Sequence, residues 1–187
     1  QHATATDHQD DADAAYAAAD ACILALYREL LRREPAASEH AEWRAALLGG
    51  TSPNAVRDAF LASDEYQHLV ATEQRKAAVA ATGLFDADWY LATYRDVAEA
   101  GLDPLAHYCR FGATEHRLPN AYLDAAWYHA QADLPPETDA LLDYASRGEP
   151  LGQAPGPHFD PAWYRDAYGV DADASPLAHF LAHRHGT

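Results

Sequence analysis

A chain of 187 residues with 49% hydrophobic and 11% aromatic content builds one or two small globular domains, not a disordered tract. Its net charge of −16, with a single lysine (Lys76) and no basic stripe, excludes nucleic acid and an anionic membrane surface as partners. No apolar run approaches about 18 residues, so no segment reads as membrane-spanning, and two distant cysteines, Cys22 and Cys109, are too few for a disulfide framework and read as ordinary half-buried thiols.

The chain starts at Gln1 without a methionine or a visible signal peptide, which reads as a processed form or a fragment. Residues 1–10 are polar and acidic and read as a flexible leader. From residue 11 to about 33, Tyr16, Ile23, Leu26, Tyr27, Leu30 and Leu31 recur at three- and four-residue steps, the helical period, and Pro35 ends the run. A second helix starts near Ala37-Ser38, with Ser38 and Glu42 as an approximate cap and Trp43, Ala46 and Leu47 on its apolar face; Gly49-Gly50 close it. Ser52-Pro53 is a strong start signal for a third helix carrying Val56 and Phe60. Ser63 caps a fourth, with Tyr66, Leu69 and Val70, that runs towards Ala80. Residues 11–80 therefore read as a four-helix bundle.

Within this part, Leu26-Tyr27-Arg28-Glu29-Leu30-Leu31, Trp43 and Ala59-Phe60-Leu61-Ala62-Ser63-Asp64-Glu65-Tyr66 resemble an all-helical domain of unknown function. That family occurs in bacterial secreted and surface proteins, often beside hemolysin-type calcium-binding repeats, and is similar in pattern to the phycobilisome linker domain. The family usually has glycine after the Leu-Leu pair and an Asp-x-x-Gly turn. Here Arg32-Arg33-Glu34-Pro35 stands in their place, so a cation contact at that turn does not carry over.

Beyond residue 80 one motif recurs: Phe85-Asp86-Ala87-Asp88-Trp89-Tyr90, Leu123-Asp124-Ala125-Ala126-Trp127-Tyr128 and Phe159-Asp160-Pro161-Ala162-Trp163-Tyr164. With Asp86, Asp124 and Asp160 as N-caps, the preceding Phe85, Leu123 and Phe159 can pack on the tyrosine at the fourth helical position, a hydrophobic staple. Each copy has a second capped half, at Asp103-Pro104, Asp139 and Ser175-Pro176, and the first two close at Gly112 and Gly148. The tryptophans are 38 and 36 residues apart (127 − 89, 163 − 127), and His107, Asp143 and His179 are 36 apart (143 − 107, 179 − 143). Residues 81–187 thus read as three helical hairpins of about 36 residues, near 84–120, 122–156 and 158–187, stacked to leave an extended side surface. The expected fold is all-α, a small four-helix domain followed by this array.

These units resemble a tandem repeat of the form Phe-Asp-Pro-x-Trp-Tyr-Leu, then Asp-Val-Ala-x-Ala-Gly, then Pro-Leu-x-His-Tyr-x-x-x-Gly. The first copy is closest, through Asp96-Val97-Ala98-Glu99-Ala100-Gly101 and Pro104-Leu105-Ala106-His107-Tyr108. The middle copy departs, with Asp143 in the histidine position, and the last has its closing glycine displaced to Gly186. The repeat occurs as an accessory segment in bacterial glycosyltransferases, sugar-decorating methyltransferases and surface proteins. Both resemblances imply an extracellular or cell-surface setting.

The candidate ligand contacts are the tyrosines Tyr90, Tyr128 and Tyr164, whose polar tips suit recognition better than the tryptophans, and the equivalent histidines His107 and His179. The plainer account makes Trp89, Trp127 and Trp163 seam-filling, the aspartates caps, and the histidines hydrogen-bonded bridges between helices. Calcium would need a looped cluster of oxygens that only Asp171-Ala172-Asp173 begins to suggest, and His107, Cys109 and His116 lack zinc spacing, so no metal is expected. His183 and His185 read as solvated. No nucleophile elbow, phosphate loop or His-Glu-x-x-His is present, so neither cofactor nor catalysis is expected. The leading expectation is a non-catalytic binding or scaffolding module for a glycan or a surface protein. A structural spacer is the alternative, and an enzyme with an unrecognised His/Asp site the minor one.

Overall fold

A computed structural model describes residues 3–184, with side chains from residue 9 onward. Gln1 and His2 of the expected leader, and His185, Gly186 and Thr187 of the third motif segment, lie outside the described residues. The described chain is all-α, and it divides into two compact units, Gln1–Ala71 and Thr72–Thr187. The division falls inside a helix and not at residue 80, because the second half of that helix packs into the second core.

In the first unit, α1 (Ala3–Leu26) runs into a π-helical turn, Tyr27–Leu31. The expected leader is thus helical from Ala3. No glycine or proline precedes Pro35, so nothing local interrupts the helix. Its exposed stretch, residues 9–18, includes Tyr16, which faces solvent near Arg44 instead of the core. Then follow α2 (Ala37–Leu48), α3 (Pro53–Ala62) and α4 (Asp64–Thr82). Ser52 Oγ accepts the Ala55 amide and Ser63 Oγ the Tyr66 amide, as the cap signals predict. For α2 the reciprocal acid is Glu39, which accepts the Ala36 amide at 2.7 Å, and not Glu42. Ile23, Leu26, Tyr27, Leu30, Leu31, Val56 and Phe60 form the core, with Tyr27 edge-on to Phe60 at 4.9 Å.

The turn after α1 explains its departure from the resembled family. Arg32 adopts φ 56°, the left-handed region that glycine enters without strain. Arg33 then folds over the Tyr27 ring and pairs with Glu39 and Glu65, each at 2.7 Å, tying the start of α2 to the start of α4. The Arg33 bond and the Ala36 amide hold the Glu39 carboxyl down at about 2. A folded pKa below the ordinary 4.5 stabilises fully above that value, and the contribution is lost as pH falls towards 2. All three side chains are at least a third exposed, so the pairs together are worth about 1 kcal/mol or less after screening. Arg33→Ala is expected to show that deficit in urea unfolding at pH 6, read by Trp43 emission. The gap to the native chain should close near pH 2; a deficit independent of pH would refute the assignment.

The second unit comprises the end of α4 from Thr72, then α5 (Ala87–Thr93), α6 (Arg95–Glu99) and α7 (Pro104–His107) with its π-turn Tyr108–Gly112. Next come α8 (Ala125–Ala132), α9 (Ala140–Asp143) with its π-turn Tyr144–Gly148, α10 (Pro161–Tyr168) and α11 (Pro176–His183). The extra turn α6 accommodates the longer first segment. Val79 of α4 is fully buried in the shared core. Arg75 donates to Asp139 at 2.6 and 3.1 Å and to the Cys109 carbonyl at 2.9 Å, so one guanidinium of α4 joins the first and second segments. Tyr122 meets Phe180 edge-on at 4.9 Å, and Arg184 pairs with Asp86, bringing the end of the third segment to the start of the first. The third segment thus meets both the second segment and the start of the first.

Candidate functional site

The motif builds the same local device three times. Asp86, Asp124 and Asp160 each accept, through Oδ1, the amide of the tryptophan three residues on, at 3.0, 3.0 and 2.9 Å. Phe85 lies 5.3 Å from the Tyr90 ring and Phe159 5.4 Å from the Tyr164 ring, while Leu123 and Tyr128 share the core. The tyrosines are 0%, 1% and 6% exposed. Their hydroxyls meet the equivalent residue of the second half: Tyr90 with His107 Nδ1 at 3.0 Å, Tyr128 with Asp143 Oδ2 at 2.7 Å, Tyr164 with His179 Nδ1 at 3.0 Å. Burial raises all three phenols above their ordinary value, keeping them neutral.

This placement reverses the expectation drawn from residue type. The tyrosines are core residues with their polar tips consumed internally. The tryptophans lie further out and differ among themselves: Trp89 is half-buried, Trp127 is half-buried against the core, and Trp163 is 62% exposed. The first-turn position suits either assignment, and the partner helix decides it by offering an acceptor to the tyrosine. Cys109 is fully buried, not half-buried, and burial pushes its thiol up to about 11; Cys22 is half-buried and both are free.

Asp143 is thus a substitute and not a lapse. As a carboxylate it can only accept, so Tyr128 donates. Arg147 bonds both its oxygens, at 2.9 and 2.8 Å, and holds its carboxyl below the usual range, with the Tyr128 hydroxyl assisting. Tyr128→Phe is expected to cost about 1 kcal/mol, since Asp143 keeps its arginine. Urea unfolding checks it, and a loss above about 3 kcal/mol would mean that the hydroxyl carries more than this bond.

The arrangement offers little open chemistry. His107 and His179 are half-buried and engaged, and the His183 ring stacks on His179 at 4.2 Å. Among the described residues no three His, Cys, Asp or Glu side chains gather as ligands for an ion. Asp171 and Asp173 are exposed, and Arg165 donates to the Asp171 and Ala174 carbonyls, fixing the loop by backbone contacts. No helix among the described residues is long and apolar enough to cross a membrane.

Two concavities in the second unit were not foreseen from the sequence. An open cleft of about 510 Å³ is lined by Thr82, Leu142, Glu149, Arg165, Asp173 and Ser175. Its Glu149 accepts from the Tyr144 hydroxyl, the Ser175 hydroxyl and the Leu177 amide, so that carboxylate is structural. A smaller cleft of about 200 Å³ is aromatic, with Tyr122, Phe159, Trp163, Tyr164, Tyr168 and Phe180 around it. The one available signal for it was that tyrosine stands five residues after tryptophan in the first and third copies, where the second has Ala132.

A family model described as a domain of unknown function (DUF4214) matches residues 9–70. The match covers the segment in which the all-helical resemblance was read, and it stops where the first unit ends. Neither a curated protein nor a solved structure matches the chain.

Proposed function

We propose that the chain is a non-catalytic binding or scaffolding module of a bacterial cell-surface or glycan-modifying protein, acting outside the cytoplasm. In this reading its first unit is akin to the phycobilisome linker domain. Its second unit is the Phe-Asp-Pro-x-Trp-Tyr repeat that accompanies glycosyltransferases and surface proteins. The observation that carries the binding part is the pair Trp163 and Tyr168, each 62% exposed, in a cleft otherwise lined by Tyr122, Phe159, Tyr164, Phe180, His158 and Asp160. Exposed aromatic platforms with polar tips serve carbohydrate and protein ligands alike. Catalysis is disfavoured because each repeated hydroxyl, imidazole or carboxylate is committed to an internal hydrogen bond.

A glycan array and pull-down from the host envelope test this reading, with Trp163→Ala and Tyr168→Ala as controls. Binding that both substitutions abolish supports it, and silence in both assays removes it. The second reading, a structural spacer, draws on the burial of Tyr90, Tyr128 and Tyr164, which assigns the repeated motif to folding alone.

A further inference from the structure

Behind each repeated tyrosine stands a pair of residues four apart, and the pair differs from segment to segment. In the first, the Tyr90 hydroxyl meets His107, whose ring lies 5.7 Å from that of Phe111. In the second, Tyr128 donates to Asp143, which pairs with Arg147 at 2.8 Å. In the third, Tyr164 meets His179, and the His183 ring stacks on it at 4.2 Å with the planes 23° apart. The outer member is exposed in all three, as Phe111, Arg147 and His183, so this position faces solvent whatever follows the segment. The first two pairs are complete in themselves, a ring contact and an ion pair. The third is two imidazoles at i and i+4 on one helix, the spacing of a metal chelate. A π-turn begins directly after His107 and Asp143, whereas α11 stays a regular α-helix through His183 and sets one ring above the other.

The hydrogen bonds leave the same nitrogen open on both rings. His183 Nδ1 lies 2.7 Å from the His179 carbonyl oxygen, which only accepts, so Nδ1 carries a proton and the neutral ring keeps its lone pair on Nε2. His179 Nδ1 is engaged by Tyr164 Oη at 3.0 Å, a hydroxyl that accepts as readily as it donates. Among the described residues neither Nε2 has a protein partner. We propose that His179 and His183 bind one divalent late transition-metal ion through both Nε2 atoms. No third side chain joins them among the described residues, so water completes the coordination. Imidazole suits copper, nickel and zinc, with Cu2+ the tightest of the divalent series. Coordination fixes the His179 proton on Nδ1, where it donates to Tyr164 Oη, the outer bond that metal-bound histidines commonly make. The ion then does for the third segment what Phe111 and Arg147 do for the others: it holds the tyrosine's partner in place and so joins α10 to α11. The net charge of −16 draws cations to the chain.

The proposal stands apart from the glycan or protein binding read above and does not rest on it. Cu2+ and Zn2+ titrated into the intact chain in a calorimeter test it. One saturable site is expected, and His183→Ala should weaken it by about tenfold or more. Because the ion binds the folded chain, Zn2+ at about a hundred times its Kd should raise the thermal melt by about 5 °C. The double variant His179→Asp with His183→Arg copies the second segment, so it should melt as the native chain does without metal and ignore the ion. The other neighbouring pair, His116 and His129 with ring centroids 6.4 Å apart, supplies the control: His129→Ala should leave the affinity unchanged. Equal affinity in His183→Ala, a loss in His129→Ala, or a melt that rises as much in the double variant overturns the proposal, since the ion then sits at other histidines. The absence of any saturable site for both ions overturns it as well.

Discussion

Gly148→Ala is expected to destabilise the second unit by about 3 kcal/mol, one of the larger effects available to a single added methyl group. Gly148 closes the π-turn of the second segment, and the Glu149 amide bonds back five residues to the Tyr144 carbonyl at 2.7 Å. That wider turn carries the closing residue onto the tip of Tyr128. A Cβ built on Gly148 overlaps Tyr128 Oη and lies 2.9 Å from Cζ and 3.0 Å from Gln153 Oε1. Tyr128 cannot swing aside: it is buried, and Asp143 holds its hydroxyl. Gly112 meets Tyr90 Oη in the same way, and there the Ala113 amide bonds to the Tyr108 carbonyl five residues back. The third segment has Arg184 in this position. Its amide bonds four residues back, to Phe180, so α11 stays a regular helix and needs no glycine. Adding Tyr128→Phe to Gly148→Ala removes the colliding hydroxyl and should recover about 1 kcal/mol relative to additivity, the Cζ contact remaining. Urea unfolding of the four chains of this cycle measures both quantities. A loss below about 1 kcal/mol for Gly148→Ala would show that the turn relaxes freely.

How much of this was legible beforehand follows from the range of each interaction. The caps at Asp86, Asp124, Asp160, Ser52 and Ser63 were readable because a cap involves residues three apart in sequence. The staple was readable for the same reason. Which of tryptophan and tyrosine enters the core was not, because a first-turn residue takes its direction from a helix some 15 residues away. The closing glycines were visible as punctuation, but the reason for them, a tyrosine hydroxyl arriving from the preceding helix, was not. Arg75 gave no local signal, although it joins two segments, since its partners Asp139 and Cys109 lie 64 and 34 residues away. The aromatic cleft was likewise hidden, because its walls Tyr122, Phe159 and Phe180 are far apart in the chain.

Asn120→Ala is expected to cost about 3–4 kcal/mol in the same unit. Asn120 is fully buried, and it is the one buried polar side chain among the described residues. Its Nδ2 donates to the Leu84 carbonyl at 2.7 Å, and its Oδ1 accepts the Tyr122 and Leu123 amides at 2.8 and 2.9 Å. It therefore ties the start of the first segment to the start of the second, beside Leu84 and Leu123, which are themselves fully buried. Alanine strands one carbonyl and two amides where water does not reach. Gly156 meets the equivalent carbonyl differently: a Cβ there would lie 2.5 Å from the Tyr122 carbonyl oxygen, so backbone proximity replaces the side chain. Asn120→Asp separates the donor from the acceptor role. It keeps the acceptor for the two amides but turns an oxygen towards the Leu84 carbonyl and buries a charge. Burial raises that carboxyl, so the variant should be weakest at neutral pH and recover part of its loss as acid protonates the group, which then donates to Leu84. Urea unfolding at pH 7 and pH 5 distinguishes the two variants. A deficit for Asn120→Asp that does not shrink on acidification would refute the donor role towards Leu84, and no deficit at either pH would mean that the two amide bonds carry the whole effect.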